Sequence, residues 1–145
     1  MLSVCFLLVA PTYAQKQYIN PSGDKPPGYT HVVVSGSAGK TLYIAGQVAL
    51  NEKGEVVGRG DLGAQTQQVF ENLKKALAAA GATFDDVVKM TTYIVNYQPE
   101  HVAILRQIRQ SYLNMNNPPA NTLVGVQALY RPELLIEIEA IATIP

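Results

Sequence analysis

Residues 134–144 read Leu-Leu-Ile-Glu-Ile-Glu-Ala-Ile-Ala-Thr-Ile, and the stretch alternates with the two-residue period of a β-strand. Leu134, Ile136, Ile138, Ala140 and Ala142 fall on one side, a face apolar enough to lie on a core. The other side sets Glu137 and Glu139 beside Leu135 and Ile141. Two readings of that second face stand side by side. The carboxylates face solvent or pair with a lysine across the sheet, or one of them lines a cleft whose apolar walls raise its pKa toward acid–base use. With Val124 and Val126 added, the face is apolar enough to predict burial against another subunit.

Upstream, residues 122–129 (TLVGVQAL) form another strand, joined to the last by Tyr130-Arg131-Pro132, and residues 114–120 (NMNNPPA) form a turn. Val102, Leu105, Ile108 and Tyr112 make a helical stripe, with Pro99 in its first turn and Glu100 at its positive end. Residues 86–95 (DVVKMTTYIV) make a strand with Lys89, Thr91 and Tyr93 on one face and Val88, Met90, Thr92 and Ile94 on the other. A longer helix follows an Asp61 N-cap, carries Leu62, Thr66, Val69, Phe70, Leu73, Ala76, Leu77 and Ala80 on one stripe, and stops at Gly81. Glu71, Lys74 and Lys75 fall on its wet side. Residues 31–35 (HVVVS) and 41–50 (TLYIAGQVAL), linked by a turn at 36–40, predict a hairpin, with Leu42, Ile44, Gly46, Val48 and Leu50 on one face. A short β-like start at 18–20 and a Pro/Gly loop at 21–27 precede it. The order ββ-α-β-α-ββ predicts an α+β fold with two helices packed on one face of a mixed sheet.

The 145 residues suit about one domain, and 48% hydrophobic with 15% charged content is the composition of a globular chain. Eleven basic and eleven acidic residues cancel, which leaves no cationic excess for phosphate backbones and argues against a nucleic-acid partner. No apolar run is long enough to span a membrane. One cysteine, Cys5, and two histidines, His31 and His101, are too few for a zinc finger, an Fe–S cluster or a three-histidine metal site.

Residues 1–14 (MLSVCFLLVAPTYA) resemble a secretory signal peptide without its basic start, cleaved after Ala14. The expected organisation is therefore a leader over 1–14 and one domain over 15–145, with a periplasmic or secreted location if the leader is removed and a cytoplasmic one otherwise. A buried first strand or a disordered tail is the alternative. Residues 34–41 (VSGSAGKT) nearly match a phosphate-binding loop, but Val34 stands at the first required glycine, and the run after Lys40-Thr41 has strand rather than helix periodicity. The two histidines read as ordinary surface or packing residues.

Several short segments, in order and at their spacing, resemble the Rid (YjgF) family of reactive intermediate deaminases. They are Gly28-Tyr29, Ile44-Ala45-Gly46-Gln47, Asn72-Leu73, Ala80-Gly81, Asp86-Val87-Val88-Lys89, Pro119-Ala120 and the run from Ile136 to Ala142. The resemblance spans roughly residues 17–143 and implies a chorismate-mutase-like fold, a homotrimer with three intersubunit clefts, and no metal or organic cofactor. The implied reaction hydrolyses 2-imino acids, from 2-aminoacrylate-type enamines, to 2-keto acids and ammonia. Glu137 matches the family glutamate that positions water and shuttles protons. Tyr29 matches its cleft tyrosine, and Gly46 the glycine whose amide faces the cleft.

The family's carboxylate clamp is an arginine after Pro-Ala, but here Asn121 follows Pro119-Ala120. A hydrogen bond to a charged group contributes about 1.5–3 kcal/mol, so a neutral Asn121 weakens substrate binding roughly 10- to 100-fold. Ala45 stands where a hydroxyl residue is usual. Arg106 or Arg131 is a candidate replacement charge, against the ordinary reading of each as a surface arginine. The resemblance leaves three functions: a deaminase with an altered clamp, a small-ligand-binding homotrimer without catalysis, and a translation-associated nuclease, which the zero net charge disfavours.

Overall fold

The protein is described by a computed structural model covering residues 16–20, 29, 30, 32–35 and 39–145. The leader-like residues 1–14, the loop at 21–27, His31 and the turn residues 36–38 lie outside the described residues. Eight main elements follow in order: β1 (Gln17–Ile19), β2 (Val32–Val34), β3 (Lys40–Val48), α1 (Leu62–Ala79), β4 (Val87–Val95), α2 (His101–Arg109), β5 (Ala120–Val126) and β6 (Ile136–Ile144). The four longer strands form one sheet in the order β3-β6-β4-β5. β6 is antiparallel to both β3 and β4, and β4 is parallel to β5.

The alternation of residues 134–144 explains why β6 sits inside the sheet. Leu134, Ile136, Ile138 and Ala142 are fully buried and Ala140 nearly so. They pack with Val69, Phe70, Leu73 and Leu77 of α1, Leu105 of α2 and Met90 and Ile94 of β4. The helices therefore cover one face of a mixed sheet, the α+β chorismate-mutase-like arrangement. Phe70 stacks on Tyr112 at 4.9 Å between centroids, and Phe84 closes the aromatic group. Asp61 caps α1, its Oδ1 accepting from the Ala64 amide at 3.0 Å. Gly81, at φ +73°, turns the chain out of the helix.

Several expectations are corrected. β2 and β3 do not form a hairpin: β2 pairs with β1, whereas β3 pairs with β6. Nine-residue β3 fills its ladder best against nine-residue β6 and places its apolar side under α1. Tyr130-Arg131-Pro132 links strands that do not pair, because β4 lies between them and β5 runs parallel to β4. A register shift between Ile44 and Gln47 interrupts the even alternation read in β3, so Ala49 is fully buried. A second shift makes Val87 rather than Val88 the buried residue. Ala80 is exposed, while Gln65 is fully buried. Glu71 is not a wet-side charge: it accepts from the Tyr112 hydroxyl at 2.7 Å. Burial and then that carboxylate push the Tyr112 pKa up to about 12.

Candidate functional site

The sheet face away from the helices carries the unusual residues. Odd positions of β6 put Glu137, Glu139 and Ile141 there, β4 adds Lys89, Thr91 and Tyr93, and β3 adds Tyr43 and Ala45. Tyr43 is 80% exposed, a large aromatic area for a sheet face, and Val124 of β5 lies exposed on the same side. A hollow of about 340 Å³ opens among Tyr43, Ala45, Lys89, Thr91, Glu139 and Ile141. Lys89 Nζ donates to the Met90 carbonyl at 2.7 Å, to Thr122 Oγ1 at 2.9 Å and to Thr91 Oγ1 at 3.2 Å. Burial lowers its pKa, and the Glu139 charge opposes that shift. The Tyr93 hydroxyl donates to Glu139 Oε1 at 3.2 Å.

The two carboxylates are therefore not equivalent. Glu139 has a phenol donor, whereas half-buried Glu137 lies against β3 where the ladder is interrupted. Val48 is its register partner across β3, and Tyr93 its partner across β4. A Cβ placed on Gly46 would overlap Glu137 Oε1 and crowd Cδ and Cγ. Glycine leaves room for the carboxylate where it lies, and any Cβ there would oblige the Glu137 side chain to move. Burial first, then the Glu139 charge, raises the Glu137 pKa above the ordinary carboxylate range. Its carboxyl thus releases its proton at a higher pH than a solvated glutamate does. Gly46→Ala is expected to displace the carboxylate and destabilise the fold by about 1–3 kcal/mol, measured by urea unfolding. An unchanged midpoint would show that β3 yields freely.

The remaining residues singled out in the sequence fall elsewhere. Tyr29 precedes Thr30, which is fastened to the start of β5. The Thr30 amide donates to the Pro119 carbonyl at 3.2 Å, Thr30 Oγ1 donates to the Pro118 carbonyl at 2.6 Å, and Thr30 bridges to Ala120. Tyr29 therefore lies at the start of β5, level with Pro119 and two residues back from Asn121. Asn121 is level with Met90 on the helix side of the sheet, opposite the face that carries Glu137. Ala120 is level with Lys89 and Glu137 with Tyr93, four residues or about 13 Å along β4. Within one protomer, Gly46 and Glu137 thus lie apart from Tyr29 and Asn121. Arg106 is exposed on α2, in the helix layer across the sheet from Glu137, and joins neither. Arg131 donates to the Gly54 carbonyl at 2.9 Å and lies 5.6 Å over the Tyr130 ring. After Lys40 the chain continues as β3, so the VSGSAGKT stretch has no helix N-terminus behind it. No described helix is long and apolar enough to cross a membrane.

The family pattern described as endoribonuclease L-PSP matches residues 24–144. A crystal structure of the Rid family protein YyfB from Yersinia pestis superposes with a TM-score of 0.81 at 50% identity, covering 89% of this chain and 98% of that one. A RutC family protein of Pyrococcus horikoshii is 42% identical over 106 residues, 72% of this chain and 80% of its own length. The 2-iminobutanoate/2-iminopropanoate deaminase of Dermatophagoides farinae is 32% identical over 127 residues, 86% of this chain and 92% of its own length. Fold, pattern match and relatives agree, and the chain belongs to the family of Rid proteins that the endoribonuclease L-PSP pattern describes.

Proposed function

We propose that the protein is a Rid-type deaminase that hydrolyses small 2-imino acids to 2-keto acids and ammonia, acting as a homotrimer. The observation that carries this reading is the Glu137 carboxylate, half-buried against Gly46 with its proton affinity raised. The related Dermatophagoides protein named as an imine deaminase supports it. As a carboxylate, Glu137 takes a proton from water as the oxygen adds to the imine carbon. As a carboxylic acid it returns that proton to nitrogen, which gives a carbinolamine. The carboxylate then takes the carbinolamine hydroxyl proton and delivers it to the amino nitrogen, so that the C–N bond breaks and ammonia leaves as the C=O forms. A carboxyl whose pKa is raised by burial keeps its proton more readily than a solvated one, which suits it to the acid step as well as the base step.

A cleft between subunits would give these two separated groups of residues a common role. Tyr29 and Asn121 of one protomer would close over Gly46 and Glu137 of the next, and the exposed Tyr43–Val124 face would become interface. Asn121 offers the substrate carboxylate a neutral amide in place of a cationic fork. Zero net charge gives no support to RNA cleavage as the activity.

The test is release of keto acid from 2-iminopropanoate generated in situ, with sedimentation to give the subunit count. Turnover above background is expected, and Asn121→Arg is expected to lower KM roughly 10- to 100-fold. The neutral clamp favours a second reading, a homotrimer that binds 2-keto acids without turnover. That reading prevails if wild type is inert and Asn121→Arg gains activity. A monomer with Glu137 in open water would end both. Removal of residues 1–14, placing the trimer in the periplasm or outside the cell, is a further part of the proposal, and N-terminal sequencing of the native protein checks it.

A further inference from the structure

The break in β3 that admits Glu137 has to be held open by something other than the ladder. Between Ile44 and Gln47 the register with β6 shifts, and a bulged strand loses the hydrogen bonds that would fix its path. The missing restraint comes from α1. Asn72 Nδ2 donates to the Val48 carbonyl at 2.8 Å and to the Leu50 carbonyl at 2.9 Å, so both amide protons grip β3 as it leaves the sheet. The amide is itself oriented: Asn72 Oδ1 accepts from Gln68 Nε2 at 2.9 Å, one helical turn earlier, and Gln68 Nε2 also reaches the Leu50 carbonyl at 3.4 Å. The Leu50 amide donates to the Val48 carbonyl at 2.8 Å, which tightens the same turn. Val48 is the register partner of Glu137, and Gly46, against which the carboxylate lies, is two residues before it.

We propose that Asn72, oriented by Gln68, is a positioning residue for Glu137: it fixes the β3 bulge and so holds Gly46 against the carboxylate. The inference takes the working role of Glu137 from the deaminase reading, yet its readout does not need turnover. Leucine at position 72 has nearly the shape of asparagine but no donor. Without the two bonds the bulge relaxes, Gly46 draws away, and water reaches the carboxylate. Relief of burial then lets the Glu137 pKa fall toward the ordinary range.

The experiment follows the Glu137 side-chain carboxyl by ¹³C NMR through a pH titration, the signal being assigned by its loss in Glu137→Gln. In Asn72→Leu the midpoint is expected to fall by about half a pH unit or more. The acid limb of the pH–rate profile should move with it, and kcat should drop about 10- to 100-fold with KM little changed. Leu77→Ala, a core truncation in the same helix, serves as control: it should lower stability and leave the midpoint in place. An unmoved midpoint in Asn72→Leu, or an equal shift in Leu77→Ala, overturns the proposal. If Asn72→Leu does not fold, the shorter Asn72→Ser carries the same titration with the same two outcomes. A shifted midpoint with inert wild type would sink the deaminase reading and leave the positioning role standing. Turnover with an unmoved midpoint would do the reverse.

Discussion

Glu137→Gln is expected to reduce hydrolysis of 2-iminopropanoate by about 10²- to 10⁴-fold, the range in which a positioned proton-transfer group contributes. The amide fits the same space against Gly46 but cannot take a proton from water. Stability should move the other way. A carboxyl whose folded pKa lies above its unfolded value binds its proton more tightly when folded, so it favours the folded state at low pH. That contribution is lost as pH rises through the unfolded and then the folded pKa, and above both the buried charge is a net cost. Glutamine carries no such charge. Wild type should therefore lose ground to the variant as pH climbs from the acid range to neutrality, and at pH 7 the variant should be at least as stable. Urea unfolding at several pH values and initial rates of keto acid release check the pair. A variant that keeps wild-type turnover would remove Glu137 from the chemistry, and one that unfolds more readily at pH 7 would show that its charge is well solvated.

This opposition between rate and stability follows from where the sequence puts the residue. A strand whose other face is wholly apolar must stay in the sheet centre, so neighbouring strands flank Glu137 on both sides. Its environment is thus a consequence of the Leu134, Ile136, Ile138 and Ala140 side chains that never touch a substrate.

That much was legible in the sequence because period-two alternation is a local signal. The β6 core face, the α1 stripe from Leu62 to Leu77, the Asp61 cap and the Gly81 stop all needed only neighbours within a few residues. Strand partners did not. Tyr130-Arg131-Pro132 looks like a link between neighbouring strands, yet the parallel β4–β5 pairing that separates them is a long-range choice. The β3 bulge also escaped, since TLYIAGQVAL alternates regularly until the register with β6 is known. Gly46 and Glu137 were named together only through family likeness, and the steric reason for the glycine appears once β3 lies beside β6. Helix spacing does not tell which side of the sheet a surface arginine serves, so the place of Arg106 on α2 appeared only with the fold. Asn72 carried a signal that could have been weighed: an amide on the side of a helix facing an apolar strand needs backbone partners.

Gln65→Leu is expected to destabilise the protein by about 2–5 kcal/mol, although leucine is the better hydrophobe for a fully buried position. The side chain stitches two loops to α1. Its Nε2 donates to the Glu133 carbonyl at 2.7 Å and to the Gly58 carbonyl at 3.2 Å, and its Oε1 accepts from the Leu135 amide at 2.8 Å. The Gly58 carbonyl keeps a second partner in the Asp61 amide, so leucine strands the Glu133 carbonyl and the Leu135 amide. Each unpaired buried group costs about 1–3 kcal/mol, more than the gain from one apolar side chain placed where an amide already fits. Hydrogen exchange should report the same event locally, with the Leu135 amide losing protection more than the Ile138 amide in the middle of β6. Gln65→Glu separates polarity from shape. Its ionised carboxylate faces the Glu133 carbonyl, whereas its protonated form donates to it. The folded pKa then lies above the unfolded one, and the variant regains stability as pH falls through the folded pKa. A Gln65→Leu protein as stable as wild type would mean that water or backbone movement satisfies both loops, and that the start of β6 is not held by this amide.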